Sequence, residues 1–322
     1  MTTHTQTKPR EITTTPRKSD VFFRGVLTSM SMSSLIILTL IGGFLAFRGF
    51  ETFKGQGLHF LTQWDWSAAQ DSSQKDSFGL GAMIIGTLVI AAVALVLGVP
   101  VSVLTALYLT YYAPERLKKL LTSLVDLMAS FPSILYGLWG FIVLMPYAQT
   151  WAKYINKFFG WIPIFHVQSP SFARSPFIAG LVLAIMIVPI VTSVSREIFG
   201  QTPLDRIQAA YALGATKWSM IRAVVLPFGA SGVVGGAMLG LGRALGETVA
   251  VYSVLNIVFK PNWHVLFGFG GNIASMIVMK WGEASLSESK ALLGAGFVLF
   301  VLTLVVNLLA NTIVRRTVKS GR

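Results

Sequence analysis

Six long apolar runs divide the chain, and almost no charged residue interrupts them. They cover residues 26–47, 79–112, 120–147, 176–194, 228–258 and 291–314. An α-helix rises about 1.5 Å per residue, so about 20 apolar residues cross a hydrocarbon core of about 30 Å. The pattern therefore predicts an all-α, polytopic membrane protein with six transmembrane helices. Three runs are longer than a perpendicular span needs, so their helices should tilt, kink or protrude from the bilayer.

The Lys and Arg residues predict the orientation of these helices. Sixteen of them lie in the N-terminal tail, in the connections after the second and fourth runs, and in the C-terminal tail. Nine others are spread over the three longer connections on the opposite side. Because short cytoplasmic connections are enriched in Lys and Arg, we expect both termini in the cytoplasm.

Composition excludes several other classes of protein. Hydrophobic residues make up 53% and charged residues 12% of the 322 residues, whereas soluble domains carry about 25% charged residues. The absence of cysteine excludes a disulfide scaffold. The formal charge of +13 raises the question of nucleic-acid binding, but the basic residues flank apolar runs and do not alternate with aromatic residues. We therefore expect no nucleic-acid interface.

The sequence carries no recognisable catalytic motif. It has no G-x-x-x-x-G-K-[ST] phosphate loop, so this chain should not hydrolyse nucleotide by that route. Its four histidines lie far apart and lack the spacing of a zinc site. We expect no catalytic residue, no metal site and no bound cofactor in this chain.

Two charged residues, Arg243 and Glu247, interrupt the glycine-rich fifth run near its middle. Gly232, Gly236 and Gly240 recur every four residues, a spacing that lets two membrane helices approach closely. At about 100° per residue, Arg243 and Glu247 fall in the same sector of a continuous helix as these glycines. Four aliphatic side chains should face lipid on the opposite side: Val234, Met238, Leu241 and Leu245.

Arg243 and Glu247 admit two interpretations. An arginine inside a membrane helix costs at least about 2.5–3.5 kcal/mol, so another interaction must offset this cost. The pair can be purely structural, because Glu247 lies one helical turn away, close enough to share a hydrogen bond. Alternatively the two residues line an anion path, where the guanidinium binds the anion and Glu247 balances its charge when the path is empty. We favour the anion path, since ionisable residues within membranes are functional candidates.

The connection 202–227 predicts a helix, a tight turn and a second helix on the cytoplasmic side. Thr202 and Thr216 are suitable N-caps, and Gly214 can adopt the left-handed conformation that ends the first helix. An ordinary amphipathic connector is one interpretation. The other is a knob that docks into a partner's cleft, because the small side chains of Ala209 and Ala210 permit close contact.

This connection resembles the coupling loop of ABC importer permeases, whose pattern is E-A-A-x3-G-x9-I-x-L-P. The matching positions here are Gln208-Ala209-Ala210, Gly214 and Val224-Val225-Leu226-Pro227. At Gln208 the shape of the family's glutamate is kept and its charge is lost, and Val224 replaces the family's isoleucine. Further segments resemble the phosphate-specific permease subunits of these importers: FPSILYGLWG at 131–140, IVPI at 187–190, REIFGQTP at 196–203 and LGLGRALGET at 239–248.

The resemblance implies a type I ABC importer with a MetI-like permease core in the inner (plasma) membrane of a bacterial cell, and it implies the partners. They are a second, related permease subunit, two copies of an ABC ATPase that bind ATP and Mg, and an extracytoplasmic binding protein that delivers inorganic phosphate. The coupling loop would sit in a groove of the ATPase. Its coupling residues would be Gln208, Ala209, Ala210, Gly214, Leu226 and Pro227.

Two other functions stay open from the sequence. The first keeps the mechanism and changes the cargo to another oxyanion, such as phosphonate, sulfate or molybdate. The second is a stand-alone secondary transporter or channel, although no inverted sequence repeat is obvious.

These features divide the chain into five parts. Residues 1–25 should form a disordered basic tail, 26–47 an accessory transmembrane helix and 48–78 a periplasmic loop. Residues 79–316 should form the permease core with five transmembrane helices and the coupling loop 202–227, followed by a cytoplasmic tail, 317–322. In the periplasmic loop, Trp64-Asp65-Trp66 is either a docking surface or an anchor at the membrane interface, and we favour the anchor.

Overall fold

The computed structural model describes residues 18–68, 76–167 and 171–320, with side chains up to residue 312. Helices account for nearly all regular structure in these ranges, with one antiparallel pair of two-residue strands, β1 (Trp66–Ser67) and β2 (Ser77–Phe78). The α-helices are α1 (Lys18–Gln56), α2 (His59–Thr62), α3 (Gly81–Leu107), α4 (Glu115–Ala129), α5 (Ser133–Trp139), α6 (Met145–Phe159), α7 (Pro176–Gly200), α8 (Leu204–Ala212), α9 (Lys217–Met220), α10 (Leu226–Leu245), α11 (Val249–Val254), α12 (Ile273–Trp281) and α13 (Leu286–Ser320).

The chain divides into two compact units, Met1–Leu45 and Ala46–Arg322. The described part of the first unit is one continuous helix, the N-terminal part of α1, and nearly all of its residues are exposed. Because α1 begins at Lys18, the predicted tail is wrong for residues 18–25, while residues 1–17 lie outside the described residues. Because α1 continues to Gln56, the predicted loop is also wrong for residues 48–56. Hydropathy marks the apolar part of a helix, and polar residues extend this helix at both ends.

Six membrane spans are present if one bent pair of helices counts as a span. Five helical segments in the described ranges are long and apolar enough to cross a membrane: Lys18–Gln56, Gly81–Tyr112, Pro176–Gly200, Lys217–Leu245 and Leu286–Thr312. The sixth combines Glu115–Ala129 with Ser133–Phe159, which meet at an angle of 97°. The prediction of six transmembrane helices is therefore confirmed. The third run, 120–147, is one of the long runs for which a tilt, kink or protrusion was expected, and it bends because Pro132 lacks an N–H and disfavours a helical Phe131.

Three π-turns interrupt the spans, and each ends two residues before a proline. They are Tyr108–Tyr112 before Pro114, Gly140–Leu144 before Pro146 and Ile221–Val225 before Pro227. In each case the residue before the proline donates its N–H to the carbonyl five positions back, as Ala113 does to Tyr108 at 2.8 Å. Proline cannot donate a backbone hydrogen bond, so the wider turn satisfies the carbonyls that precede it.

Helix α7 lies at the centre of the main hydrophobic core, packed between α3 and α10. Small residues let these helices approach closely: a Cβ atom added at Gly180 would lie 2.4 Å from Cγ1 of Val93 in α3. Buried hydroxyls join the same two helices, since Ser102 donates to the carbonyl of Val188 at 3.3 Å and Thr192 donates to the carbonyl of Ser102 at 3.4 Å. Helix α7 is thus held against α3 by close packing and by buried hydrogen bonds.

A second core lies beside the β1–β2 pair, and we call its polar centre the Trp66 cluster: Trp66, Phe78, Phe259, Lys280 and Glu288. The Trp66 ring packs against Phe78 and stacks on Phe259, with centroid distances of 5.0 and 5.9 Å. Its Nε1 donates to Oε1 of Glu288 at 2.7 Å, and Nζ of Lys280 lies 3.2 Å from the same oxygen. Trp66 is therefore a core residue, and neither interpretation proposed for the Trp64-Asp65-Trp66 segment describes it.

Candidate functional site

The fifth span breaks at the position of its charged residues. Helix α10 ends at Leu245, residues 246–248 are not helical, and α11 begins at Val249. Arg243 lies in the last turn of α10 and Glu247 lies in the break. The continuous helix assumed through Arg243 and Glu247 is therefore wrong. A break in a membrane helix frees backbone groups, which other parts of the protein must then satisfy.

The buried carboxylate of Glu247 caps α11. Its Oε1 accepts a hydrogen bond from the backbone N–H of Ala250 at 3.2 Å, and the residue is only 8% exposed. A carboxylate at this place also interacts favourably with the partial positive charge of the helix N-terminus. The side chain of Glu247 is thus engaged by the helix that follows it.

Asn272 holds the backbone of the break. Its Nδ2 donates to the carbonyl of Glu247 at 2.7 Å, while its Oδ1 accepts the N–H of Ser275 at 2.9 Å and so caps α12. The next N–H, that of Ile273, donates to Oγ1 of Thr87 in α3 at 3.1 Å. The break is therefore fixed to two other helices by a buried polar network that runs across 186 positions of sequence between Thr87 and Ile273.

Arg243 makes no ion pair or hydrogen bond with Glu247 or with any other residue in the described part of the chain. Its half-buried guanidinium acts electrostatically on the nearby hydroxyl of Tyr136, which donates to the carbonyl of Met128 at 2.6 Å. The hydrogen bond that a purely structural pair of Arg243 and Glu247 would make is thus absent, because α10 ends between them. Arg243 thus keeps its donors unused, while the carboxylate of Glu247 is engaged by α11.

Helix α5 closes one side of this site. A Cβ atom added at Gly137 would lie 2.8 Å from Cα of Ala250 in α11, and one added at Gly140 would lie 2.4 Å from Val182 in α7. The 131–140 segment therefore packs directly against the helix that Glu247 caps. The sequence marks this segment only through its resemblance to phosphate-specific permeases, and it does not indicate that Tyr136 interacts electrostatically with Arg243.

The three glycines of α10 face α7. A Cβ atom added at Gly232 would lie 2.3 Å from Ile198, one at Gly236 would lie 3.3 Å from Val194, and one at Gly240 would lie 3.1 Å from Val191. The glycine face of α10 thus permits close packing of α10 on α7.

The opposite face of α10 does not meet lipid as expected. Leu241 and Leu245 are buried in the main core, at 3% and 0% exposure, and Val234 and Met238 are half-buried. The outward position is instead that of Leu239, which is 59% exposed. The prediction assumed a helix with one packed side, whereas α10 contacts α7, α3 and α13 on different sides.

The predicted helix, turn and helix between the fourth and fifth spans are present, and we call residues 202–220 the hairpin. Gly214 has a φ of +79°. Its N–H donates to the carbonyl of Tyr211 at 2.9 Å, and the N–H of Ala215 donates to that of Ala210 at 3.1 Å. These two bonds form a Schellman motif, which satisfies the last carbonyls of α8.

The structure confirms one of the two N-caps predicted for the hairpin. The hydroxyl of Thr216 accepts the N–H of Ser219, as predicted. The Thr202 prediction is wrong: Pro203 precedes the first helical residue, and the Thr202 hydroxyl donates to the carbonyl of Phe199 at 2.9 Å. A buried Thr202 thus serves the end of α7 instead of the start of α8.

The hairpin exposes most of its predicted coupling residues. Gln208, Ala209 and Gly214 are exposed, and Ala210 packs partly against a small core beneath the hairpin. Leu226 and Pro227 start α10 after the third π-turn. Large apolar side chains also point away from the chain's own core, with Leu204 70% and Leu213 89% exposed. Such a concentration of exposed apolar surface is typical of an interaction site.

Comparisons with known proteins agree with this architecture. The family model described as "Binding-protein-dependent transport system inner membrane component" matches residues 98–319. The chain is 42% identical over 300 residues to "Phosphate transport system permease protein PstC 2" of Mycobacterium bovis, covering 92% of both chains. It is 36% identical over 303 residues to "Phosphate transport system permease protein PstC" of Pasteurella multocida, covering 93% of both.

Solved structures share the fold. A chain of a bacterial alginate ABC transporter, in complex with an alginate pentasaccharide-bound periplasmic protein, superposes with a TM-score of 0.54 at 19% identity, covering 94% of this chain and 98% of that one. A chain of the MetNI methionine ABC transporter in an inward-facing conformation gives 0.51 at 18% identity, covering 74% and 94%. The chain therefore belongs to the family of binding-protein-dependent transport system inner membrane components, and within it to the PstC permeases.

Proposed function

We propose that this chain is the PstC-type transmembrane permease subunit of an ATP-driven ABC importer for inorganic phosphate. The observation that carries the proposal is Arg243, a cation at the break of a membrane span with no anionic partner in the described residues. An arginine fork matches the oxygens of a phosphate. The relatives named above are phosphate transport permeases, which makes phosphate the first candidate for the anion.

Glu247 has a supporting part in this proposal. Its carboxylate stays on the N-terminus of α11, where it keeps the break in shape and lowers the net positive charge near Arg243. Because the carboxylate does not occupy the guanidinium, an anion does not have to displace it. Arg243 and Glu247 therefore line the anion path, with Arg243 as the binding residue and Glu247 as the residue that positions the break.

The proposed importer contains other subunits. A second permease subunit would form the translocation path together with this chain, and an extracytoplasmic binding protein would deliver the phosphate. Two copies of an ABC ATPase would bind ATP and Mg, and this chain would hold no cofactor and catalyse no bond change. The hairpin is the surface that suits the ATPase, because its apolar side chains are exposed next to a rigid turn.

Membrane orientation follows from the same proposal. The ATPase acts in the cytoplasm, so the hairpin and both chain termini would lie on the cytoplasmic side of the inner membrane. Movement of the ATPase would shift the hairpin as a rigid body and alternate the path between outward and inward openings. The residues at the opposite end of α7 would then face the binding protein.

Substitution of Arg243 tests the proposal. In the complete transporter, Arg243→Gln should abolish phosphate uptake and leave the assembled complex intact, because glutamine keeps hydrogen-bonding groups and lacks the charge. Arg116→Gln is the matched control, since Arg116 is exposed at the start of α4. Uptake of labelled phosphate should be measured with sulfate, molybdate and phosphonate as competitors. Normal uptake by Arg243→Gln would assign the residue a structural role, and stronger competition by another oxyanion would change the cargo.

A further inference from the structure

Arg174 has the most unusual backbone among the described residues. It lies two residues before α7 and has a φ of +54°, and it is the one residue other than glycine with a positive φ in the part of the chain that the structure describes. Side chains with a Cβ atom rarely adopt this conformation, which persists only where the surroundings enforce it. Such strain is most common at functional sites.

The side chain of Arg174 is held as firmly as its backbone. Its Nη1 donates to Oδ1 of Asn256 at 2.7 Å, and the guanidinium carbon lies 5.1 Å from the ring centroid of Phe141. The surrounding loop is fixed on either side, because Gly268 donates to the carbonyl of Ser171 at 2.8 Å and Phe177 donates to that of Val265 at 2.9 Å. The orientation of the planar fork is therefore set before any ligand arrives.

Most donors of this fork are unused. A guanidinium carries five N–H donors, and Arg174 makes one hydrogen bond and no ion pair within the described ranges. The residue is half-buried, so its outer edge reaches water. An aromatic ring on one face and an amide on one nitrogen leave the other edge open for an anion.

The position of Arg174 connects it to the site around Arg243. Its partner Asn256 lies two residues after α11, and Glu247 lies two residues before α11, a helix of six residues that spans about 9 Å. Its other partner, Phe141, follows Tyr136, the neighbour of Arg243, by five residues. The two arginines thus lie near opposite ends of one short helix.

We propose that Arg174 is a second anion-binding residue of the translocation path, which receives inorganic phosphate at the external mouth before Arg243 does. This inference rests on the proposed function, since Arg174 lies at the end of α7 opposite to the hairpin. A strained, preoriented fork binds a tetrahedral oxyanion through two parallel hydrogen bonds without first losing side-chain freedom. Two cations in sequence give the anion a stepwise route past α11.

The test uses the complete transporter in phosphatidylcholine vesicles with its binding protein and ATP. Two quantities are measured: phosphate transported per ATP hydrolysed, and the binding-protein concentration that half-maximally stimulates ATP hydrolysis. Arg174→Gln should lower the first by about tenfold or more, the effect of losing a charge-assisted hydrogen bond, and leave the second unchanged. Arg174→Lys should recover part of the loss, and Lys153→Gln, at an exposed cation of α6, should match the wild type.

Arg174→Gly separates anion binding from a purely conformational role. Glycine adopts a φ of +54° without strain, so a conformational role predicts normal transport by this variant. Anion binding predicts the same loss as for Arg174→Gln. Asn256→Ala keeps the charge and frees the fork, and it should give an intermediate loss.

Four outcomes would overturn the inference. An unchanged ratio of phosphate to ATP in Arg174→Gln, or normal transport by Arg174→Gly, would contradict anion binding. A higher half-maximal concentration of binding protein would indicate protein docking. A loss that changes when phosphatidylglycerol is added would indicate a lipid phosphate. Transport by the wild type distinguishes failure of this inference from failure of the proposed function. If the wild type transports phosphate and Arg174→Gln keeps the same ratio, this inference fails while the proposed function stands.

Discussion

The hairpin and the Trp66 cluster both include connections between membrane spans, yet large side chains are exposed in the hairpin and buried in the cluster. In the Trp66 cluster, the rings of Trp66 and Phe78 are buried, and Glu288 accepts the Trp66 N–H and pairs with the Lys280 ammonium. In the hairpin, Leu204, Leu213 and Trp218 are exposed although the chain has core residues directly beneath them. The polar groups of the Trp66 cluster have partners within the chain, whereas the hairpin leaves apolar surface exposed, which is typical of an interaction site.

The largest effect is expected in the Trp66 cluster, whose polar groups have partners within the chain. Trp66→Ala should lower the free energy of unfolding by about 3–5 kcal/mol, because it opens a cavity and leaves the buried Glu288 without its N–H donor. Trp64→Ala is the matched control, since Trp64 is exposed and should change little. Thermal unfolding of the purified complex measures both. Equal effects of the two substitutions would show that the cluster is not a separate core.

In the hairpin, the expected loss concerns binding and not stability. Leu213→Ser should weaken association with the ATPase by roughly tenfold or more if Leu213 is buried on docking, since a buried leucine contributes about 1.5–3 kcal/mol. Leu286→Ser is the control, because Leu286 is similarly exposed at the start of α13. Copurification of the ATPase at increasing salt, together with thermal unfolding, separates the two effects. If Leu286→Ser loses the ATPase as readily, the hairpin is not the docking surface.

The smallest effect should come from the turn. Gly214→Val places a β-branched residue at a φ of +79°, where the strain costs about 1–2 kcal/mol per residue. A Cβ atom there meets no other residue within 4 Å, so the cost arises in the local backbone and not from packing. We expect the ATPase to remain bound and its hydrolysis to be uncoupled from transport. Gly200→Val, at an equally open glycine without positive φ, is the control. Equal phosphate-to-ATP ratios for the two variants would remove the turn from the coupling mechanism.

The number of spans could be predicted from the sequence because hydropathy is a local property. Runs of about 20 apolar residues need no knowledge of distant partners. The Schellman turn at Gly214 and the Thr216 cap were readable for the same reason, since each depends on fewer than six neighbouring residues. Local signals thus gave the helices, the turn and the surface that the hairpin exposes.

The break after Leu245 could not be predicted in the same way. Apolar residues continue through α11, so hydropathy alone favours one long helix. What stabilises the break is Asn272, 25 positions after the carbonyl of Glu247 that it holds, and Thr87, 186 positions before the N–H of Ile273. A pairing of Arg243 with Glu247 followed from assuming a continuous helix. The site residues were visible in the sequence, whereas their partners depend on tertiary contacts.

Trp66 and Leu241 are further residues whose surroundings depend on tertiary contacts and not on the local sequence. The sequence favours an anchor at the membrane interface for Trp66, yet the ring is buried and its partner Glu288 lies 222 positions away. Leu241 was assigned to lipid because a single amphipathic face was assumed for α10. In a membrane protein, apolar residues cover both lipid-facing and protein-facing surfaces, so hydrophobicity does not distinguish them.

The π-turn before Pro227 helps set the rotation of the fifth span. An α-helix advances each side chain by about 100°, and a π-turn holds one residue more than an α-helical turn, so the wider turn absorbs a residue that would otherwise rotate α10 by that amount relative to the hairpin. If residues 221–225 wound as a regular α-helix, Gly236 and Gly240 would turn away from α7. The N–H of Leu226, which donates to the carbonyl of Ile221, therefore helps to decide which face of α10 packs on α7.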